Sequence, residues 1–275
     1  MRRPIVLALA VAAAGCLAGP ATAQDPAAAT ATDDAAALAQ QLANPVAALI
    51  SVPFQNNWDF GIGPDDEGWR WTLNVQPVIP ISLSEDWNLI SRTILPVVYQ
   101  DEVFPGAGDQ FGLGDTVQSF FLSPVAPGPL GMIWGAGPAL LLPTGTDDLL
   151  RSEKWGAGPT AVALKQSGAW TYGVLANHIW SFAGDDDRSD VSTTFLQPFL
   201  NYTTKRATSF ILNSESTYDW EGEEWTVPLN AGVTQLFRIG GQRVQIGLLG
   251  RWYAESPGGG PDWGVRVPIT LLFPR

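Results

Sequence analysis

Cysteine is all but missing from this chain: Cys16 is the only one among 275 residues. It sits in a segment where Arg2 and Arg3 precede a short apolar core at 5–14. Ala21-Thr22-Ala23 then offers an A-x-A cleavage site before Gln24. Residues 1–23 read as an export signal. A rival reading ends a lipoprotein signal at Cys16, although Ala13 stands where a Leu is usual. Removal at Ala23 leaves no thiol, which excludes disulfides, Cys nucleophiles and Cys metal sites. Histidine is equally scarce: with His178 alone, no His/Cys metal cluster can form. Basic residues number 15 against 27 acids, for a net charge of −12. Nucleic acid is a poor partner for such a surface, because phosphate binding needs clustered Lys and Arg. Also absent after the signal is any run of 18 apolar residues, so no helix is long enough to span a bilayer. A closed β-barrel spans one with a much weaker sequence signal.

What is present points to strands. Residues 24–45 form an Ala-rich leader in which Leu38, Gln41, Leu42, Val46 and Leu49 outline a short amphipathic helix; a disordered leader is the alternative. From residue 46 the period changes to two. Trp69, Trp71, Leu73, Val75, Ile79 and Ile81 share one parity, and Arg70, Thr72, Asn74 and Gln76 take the other. Val265, Val267, Ile269, Leu271 and Phe273 alternate likewise with Gly264, Arg266, Pro268 and Thr270. Twelve such runs can be marked, at 47–62, 69–82, 87–100, 113–123, 130–143, 155–166, 170–181, 191–204, 208–218, 225–237, 244–253 and 263–273.

The connections between runs alternate strictly in kind. Short ones lie at 83–86, 124–129, 167–168, 205–207 and 239–243. Longer, acidic ones lie at 63–68, 101–112, 144–154, 183–190, 219–224 and 254–262. In an up-and-down sheet this alternation puts every acidic pool, including Asp185-Asp186-Asp187, at one rim. Lys165, Lys205, Arg206, Arg238 and Arg243 fall at the other, while Arg151, Lys154 and Arg188 break the pattern. Seven of the 12 Trp flank long connections, and Trp87 and Trp170 flank short ones, as expected of rings seeking two water–lipid boundaries. Together these features predict an all-β fold: a closed, antiparallel, up-and-down transmembrane barrel of about 12 strands, occupying 46–275, with short periplasmic turns and acidic extracellular loops. A soluble β-sandwich or lipocalin-like barrel would show the same alternation with its apolar face turned inward. The prolines at 77, 80, 96, 138, 159, 198, 228 and 268 fit poorly, since each removes a ladder donor.

Several runs carry a family likeness: NPVAALISVPFQNNWDFGIGP (44–64), NLISRTILPVVYQ (88–100), FGLGDTVQSFF (111–121), KWGAGPTAVALKQ (154–166) and ESTYDWEGEEWTVPLN (215–230). The chain resembles a family of bacterial exported proteins labelled "transporter" or, by a misapplied name, neuromedin U. It is similar to the outer-membrane proteins associated with the meta-pathway of phenol degradation. The resemblance spans nearly everything after the leader. It implies a channel in the outer membrane of a Gram-negative bacterium for small molecules, hydrophobic or aromatic ones included. Membrane lipid, a small-molecule permeant and the barrel-assembly machinery would be its partners. No functional residues carry over. Outer-membrane proteins often end on an aromatic residue, whereas Pro274-Arg275 follow Phe273 here.

If the apolar parity faces lipid, the other parity lines the bore. Candidate lining residues are Arg70, Thr72, Asn74, Gln76, Arg92, Asn177, Gln197, Glu215, Arg251 and Arg266, with Thr116 and Gln118 in the same set. Arg70, Arg251 and Arg266 fall toward the long-loop end and would form a basic patch facing Glu215, which tunes selectivity or merely fills the interior. No metal site, cofactor or catalytic residue is expected. Asp185, Asp187 and Ser189 imitate the start of an EF-hand loop, but Asp190 and Leu196 stand where Gly and Glu are needed. A hydrolase would depend on His178, yet Asn177 and Ser181 have the opposite parity and no G-x-S-x-G is present. Passive passage through a polar lumen is the expectation; a side-chain-filled structural or surface-interaction barrel without transport is the alternative.

Overall fold

In a computed structural model the chain is described over residues 26–273, and side chains from Asp34. The signal segment with Cys16, and the Pro274-Arg275 terminus, lie outside the described residues. A helix, α1 (Pro26–Leu42), precedes β1 (Ile50–Ile62), β2 (Gly68–Val75), β3 (Val78–Ser82), β4 (Trp87–Asp101), β5 (Asp109–Leu113), β6 (Thr116–Pro124), β7 (Met132–Leu142) and β8 (Lys154–Ser167). The chain continues through β9 (Trp170–Gly184), β10 (Ser192–Thr203), β11 (Thr208–Ser214), β12 (Ser216–Asp219), β13 (Glu224–Ile239), β14 (Gln242–Glu255) and β15 (Trp263–Phe273).

Every pairing is antiparallel, β15 returns to β1, and β9 pairs with β10, so the sheet closes on itself. Three wall strands are interrupted. Gln76-Pro77 separates β2 from β3, Gly114-Asp115 separates β5 from β6, and Glu215 separates β11 from β12. Counting each interrupted strand once gives a closed 12-stranded antiparallel barrel. Closure leaves no unpaired edge, which is what a lipid-embedded sheet requires.

The prolines find their places in the same way. Pro77 occupies the β2/β3 break, and Pro228 sits at a register shift in β13. Pro138 and Pro159 face one another across β7 and β8. The β6–β7 register lapses around Pro138, the β8–β9 register around Pro159, and the β14–β15 register around Pro268. Each proline removes one donor, so the ladder is locally open and the wall bends there. Gly137 and Gly158 stand beside two of these openings. A Cβ on Gly158 would lie 1.7 Å from the His178 carbonyl oxygen, and one on Gly137 2.1 Å from that of Phe120. Only glycine permits so close an approach.

Register fixes which way side chains point. Trp69, Trp71, Leu73 and Val75 lie opposite Phe60, Trp58, Asn56 and Phe54, whereas Arg70, Thr72 and Asn74 lie opposite Asp59, Asn57 and Gln55. Gln55 and Gln76 line an internal cavity, so the polar set faces the bore and the apolar set faces out. The outer surface is correspondingly greasy. Leu212, Leu248, Phe210, Val233 and Ile246 are all exposed along mid-strand positions, a kind of surface that soluble monomers rarely leave uncovered. Aromatic pairs frame it at both ends. Phe60–Trp263 (4.7 Å), His178–Trp180 (4.0 Å) and Tyr218–Trp225 (4.9 Å) lie toward the long loops, and Trp170–Tyr202 (4.8 Å) and Trp87–Trp134 (6.0 Å) toward the short turns.

Two things differ from the expectation. First, Thr116 and Gln118 do not face the bore. Thr93 Oγ1 donates to Gln118 Oε1 at 2.5 Å and Gln118 Nε2 donates to Ser91 Oγ at 3.0 Å, on the outward side, while Ser119, Phe121 and Ser123 turn inward. The reason is that the bore is not polar throughout. Ile90, Phe121, Val162, Leu164 and Leu175 form a buried internal cluster, so an apolar-out rule misassigns β6. Second, Arg151, Lys154 and Arg188, the cations that broke the rim pattern, tie two acidic loops together. Arg151 and Arg188 both pair with Glu153 (2.6 and 3.0 Å) and with Asp148, and Lys154 pairs with Asp190 at 3.0 Å. Lys154 Nζ holds the Asp190 carboxyl below its usual range by hydrogen bonding, with help from Ser181.

Candidate functional site: a bore with one mouth covered by the leader

The leader enters the short-turn end of the barrel. Alanine-rich sequence favours helix, and Ala35, Leu38, Ala39 and Leu42 fall on one face. That face packs on Leu49, Ala207, Leu236 and Leu272. Ala207 belongs to a short turn, so the helix lies across the short-turn mouth. Gln40 Nε2 donates to the Gly168 carbonyl (2.7 Å), and Gln166 Nε2 donates to the Gln40 carbonyl (2.9 Å), fixing the helix to the β8–β9 turn. The helix stops before Asn44-Pro45, where proline disfavours helical backbone in the preceding residue. Val46 then drops into the apolar cluster beside Ile90 and Phe121. A Cβ on Gly135 would meet a Val46 methyl at 3.2 Å, so the small residues of β7 make room for this insertion.

The opposite wall is charged. Arg266 makes a two-pronged contact with Glu215, Nη1 to Oε1 at 2.7 Å and Nη2 to Oε2 at 2.6 Å. Arg251 Nε donates to Asp59 Oδ1 (3.0 Å), and its Nη2 donates to the Tyr253 hydroxyl (2.8 Å). Both guanidiniums donate to Asn57 Oδ1, Arg251 at 2.9 Å and Arg266 at 2.6 Å. Side-chain exposure is only 4% for Arg266 and 8% for Arg251. Buried charges persist only when paired and hydrogen-bonded, and here both conditions are met. Arg70 and Arg92 complete the row differently. Arg70 Nε donates to Gln100 Oε1 (2.8 Å) and Arg92 Nη2 donates to Gln76 Oε1 (3.2 Å), with no carboxylate in ion-pair contact among the described residues.

The expected lining residues thus separate into groups. Arg251, Arg266 and Glu215 form one network. Gln76 accepts from Arg92 and donates to Gln55 at 3.0 Å. The backbone carbonyl of Thr72 accepts from Asn57 at 3.0 Å, and Asn74 lies opposite Gln55. Gln197 lines both inner cavities, whereas Asn177 lies on the apolar side, opposite Thr160 and Phe195. Arg70 and Arg92 stand at separate levels. Sequence reasoning missed Asn57, Asp59 and Tyr253. The first two were visible as the polar parity of QNNWDF, where Gln55, Asn57 and Asp59 alternate with Trp58 and Phe60.

Open space remains on both sides of the charged row. Toward the loops a cavity of about 410 Å³ is bounded by Asp59, Arg70, Gln100, Phe104, Leu149 and Tyr253. Toward the turns, cavities of about 200 and 170 Å³ lie against the leader at Leu42 and Pro45 and against Gln197 and Asn213. No group of three or more His, Asp or Glu among the described residues is placed to hold a metal ion. His178 faces out, its Nδ1 2.7 Å from Thr194 Oγ1, with Asn177 and Ser181 on the inward parity.

No family model and no curated protein matches this sequence. Among solved structures the chain is similar to an outer membrane channel from Pseudomonas putida F1. Identity is 16%, 82% of this chain and 94% of that chain are covered, and the TM-score is 0.63. A weaker likeness, with TM-score 0.46 and 10% identity over 81% of this chain and 92% of that chain, is to outer membrane phospholipase A from Escherichia coli. The barrel resembles those of Gram-negative outer-membrane proteins, and its fold is that of the Pseudomonas putida F1 channel.

Proposed function

We propose that the chain is an outer-membrane channel for passive passage of small molecules, closed at its inner mouth by its own N-terminal segment. The observation that carries this reading is the pair of open spaces above and below one charged row, inside a sealed wall whose outer face is apolar. The resemblance to the proteins of aromatic-degradation pathways supports hydrophobic or aromatic permeants, as does the internal cluster around Ile90 and Phe121. The Pseudomonas putida F1 protein of the same fold is an outer membrane channel, which supports the channel reading. Catalysis and cofactors have no part in the proposal. Lipid, the permeant and the barrel-assembly machinery are the partners it requires.

One observation favours a barrel that is merely filled: α1, Val46 and the arginine network occupy much of the bore. Single-channel conductance separates the two readings. The full chain should pass small, intermittent currents, and deletion of residues 26–45 should raise conductance several-fold. A shortened protein that still folds and passes no current would leave the filled barrel standing.

A further inference from the structure

The row of guanidiniums is not neutral. Among the described residues the carboxylates facing Arg70, Arg92, Arg251 and Arg266 are Asp59 and Glu215, and both are engaged by Arg251 and Arg266. The two unengaged cations stand at the two ends. Arg70 borders the loop-side cavity, and Arg92 borders the turn-side one. Arg70 lies at the level of Gln100 and Arg92 lies further down the same strand, a separation of about 26 Å at roughly 3.3 Å per residue. Asp59 lies across the strand pair from Arg70, but its carboxylate is bonded to Arg251, so neither Arg70 nor Arg92 has a carboxylate at ion-pair distance among the described residues.

Arg70 is also held in a particular pose. Gln100 Oε1 takes its Nε–H, and Gln100 Nε2 in turn donates to Gln110 Oε1 at 2.9 Å, so a buried amide chain fixes the guanidinium plane. The two terminal nitrogens form no hydrogen bond with the described residues and remain a fork, the shape that a carboxylate fills with two parallel hydrogen bonds. The cavity wall carries an apolar part, Phe104, Leu149 and Pro257 with the Tyr253 ring beside them, and a polar part, Gln100, Thr226 and the Asp59 carboxylate that Arg251 engages. Its volume of about 410 Å³ lies in the range of small-molecule sites, roughly 300–1,000 Å³.

Resting on the channel reading above, we infer that this loop-side cavity is a recognition site for small organic carboxylates with an apolar body. The carboxylate docks on the Arg70 fork, and the apolar part lies against Phe104 and Leu149. Arg92, at the far end of the row, receives the same anion on the inner side. The acidic loops themselves supply Phe104, Leu149 and Pro257 to this cavity, and part of their charge is cancelled by Arg151, Lys154 and Arg188.

The test is binding, not transport. Full-length protein in detergent is titrated with benzoate and with benzyl alcohol, its uncharged counterpart of similar size, using ligand-observed NMR. Benzoate should bind at least tenfold more tightly than the alcohol. R70Q should lose that preference while keeping the heat-modifiable gel mobility of a folded barrel, and F104A should weaken both ligands. Equal affinity for the two ligands in the natural protein would overturn the inference without any variant, as would an R70Q protein that is folded and unaltered. Liposome swelling separates this from the channel reading. Swelling without benzoate preference sinks only the site, and benzoate preference without swelling sinks only the channel.

Discussion

The two walls of the bore hold themselves together by different means. On β4, β6, β8 and β9 the inward side chains include a buried apolar cluster, Ile90, Phe121, Val162, Leu164 and Leu175, around the inserted Val46. On β1, β14, β15 and the Glu215 break they are Asn57, Asp59, Arg251 and Arg266. The first wall is stabilised by close packing, which tolerates a foreign segment such as the leader wherever volumes match. The second is stabilised by directional pairs, which demand particular partners and exclude apolar intruders. The leader accordingly reaches across to the apolar side, and the charged side keeps open cavities above and below it. One barrel thereby combines a docking surface for its own N-terminus with a row of fixed charge.

Breaking the apolar wall at its tightest point should have the largest effect. Gly158→Val places a side chain where the His178 carbonyl already stands, so the β8–β9 seam should not close. Heat-modifiable mobility on gels should then be lost altogether. Substitutions that spare closure compare the walls directly. Phe121→Ala leaves a void in a fully buried cluster and should cost about 3–5 kcal/mol in urea unfolding, with no change in reversal potential. Glu215→Gln deprives Arg266 of its counter-charge and should cost about 3 kcal/mol, with a measurable shift toward anions. If both variants shifted the reversal potential equally, the contrast between walls would be gone. The smallest effect belongs to the rim. The depressed Asp190 carboxyl contributes its loop-tying pair above the unfolded aspartate value of about 3.9. That contribution fades as pH falls through the lower folded value. Hydrogen exchange in 183–191 should rise on acidification, and Asp190→Asn should abolish the pH dependence.

Much of the wall was legible because period-two alternation has a direct physical cause: lipid on one side, water or polar groups on the other. Trp69 to Val75 and Val265 to Phe273 announce both face and extent. Arg70, Gln76, Arg251, Arg266 and Glu215 were likewise readable as inward residues. The apolar wall was not. Runs such as ALLL at 139–142 carry hydrophobic residues on both parities, so alternation has nothing to report, and Thr116 and Gln118 are misplaced for that reason. The prolines were visible as anomalies, but their meaning depends on which neighbour each one faces, as Pro138 and Pro159 do.

What the sequence determined by itself was the number of strands, the two unlike rims and the orientation of the regular strands, because each follows from local spacing and charge. Only the tertiary structure decided that Asp59 and Glu215 form their ion pairs with Arg251 and Arg266 while Arg70 and Arg92 bond to the amides of Gln100 and Gln76, and that Val46 is buried beside Phe121. These facts depend on which residues closure brings to one level, and residues distant along the chain, such as Asn57 and Arg266, meet only when β15 pairs with β1.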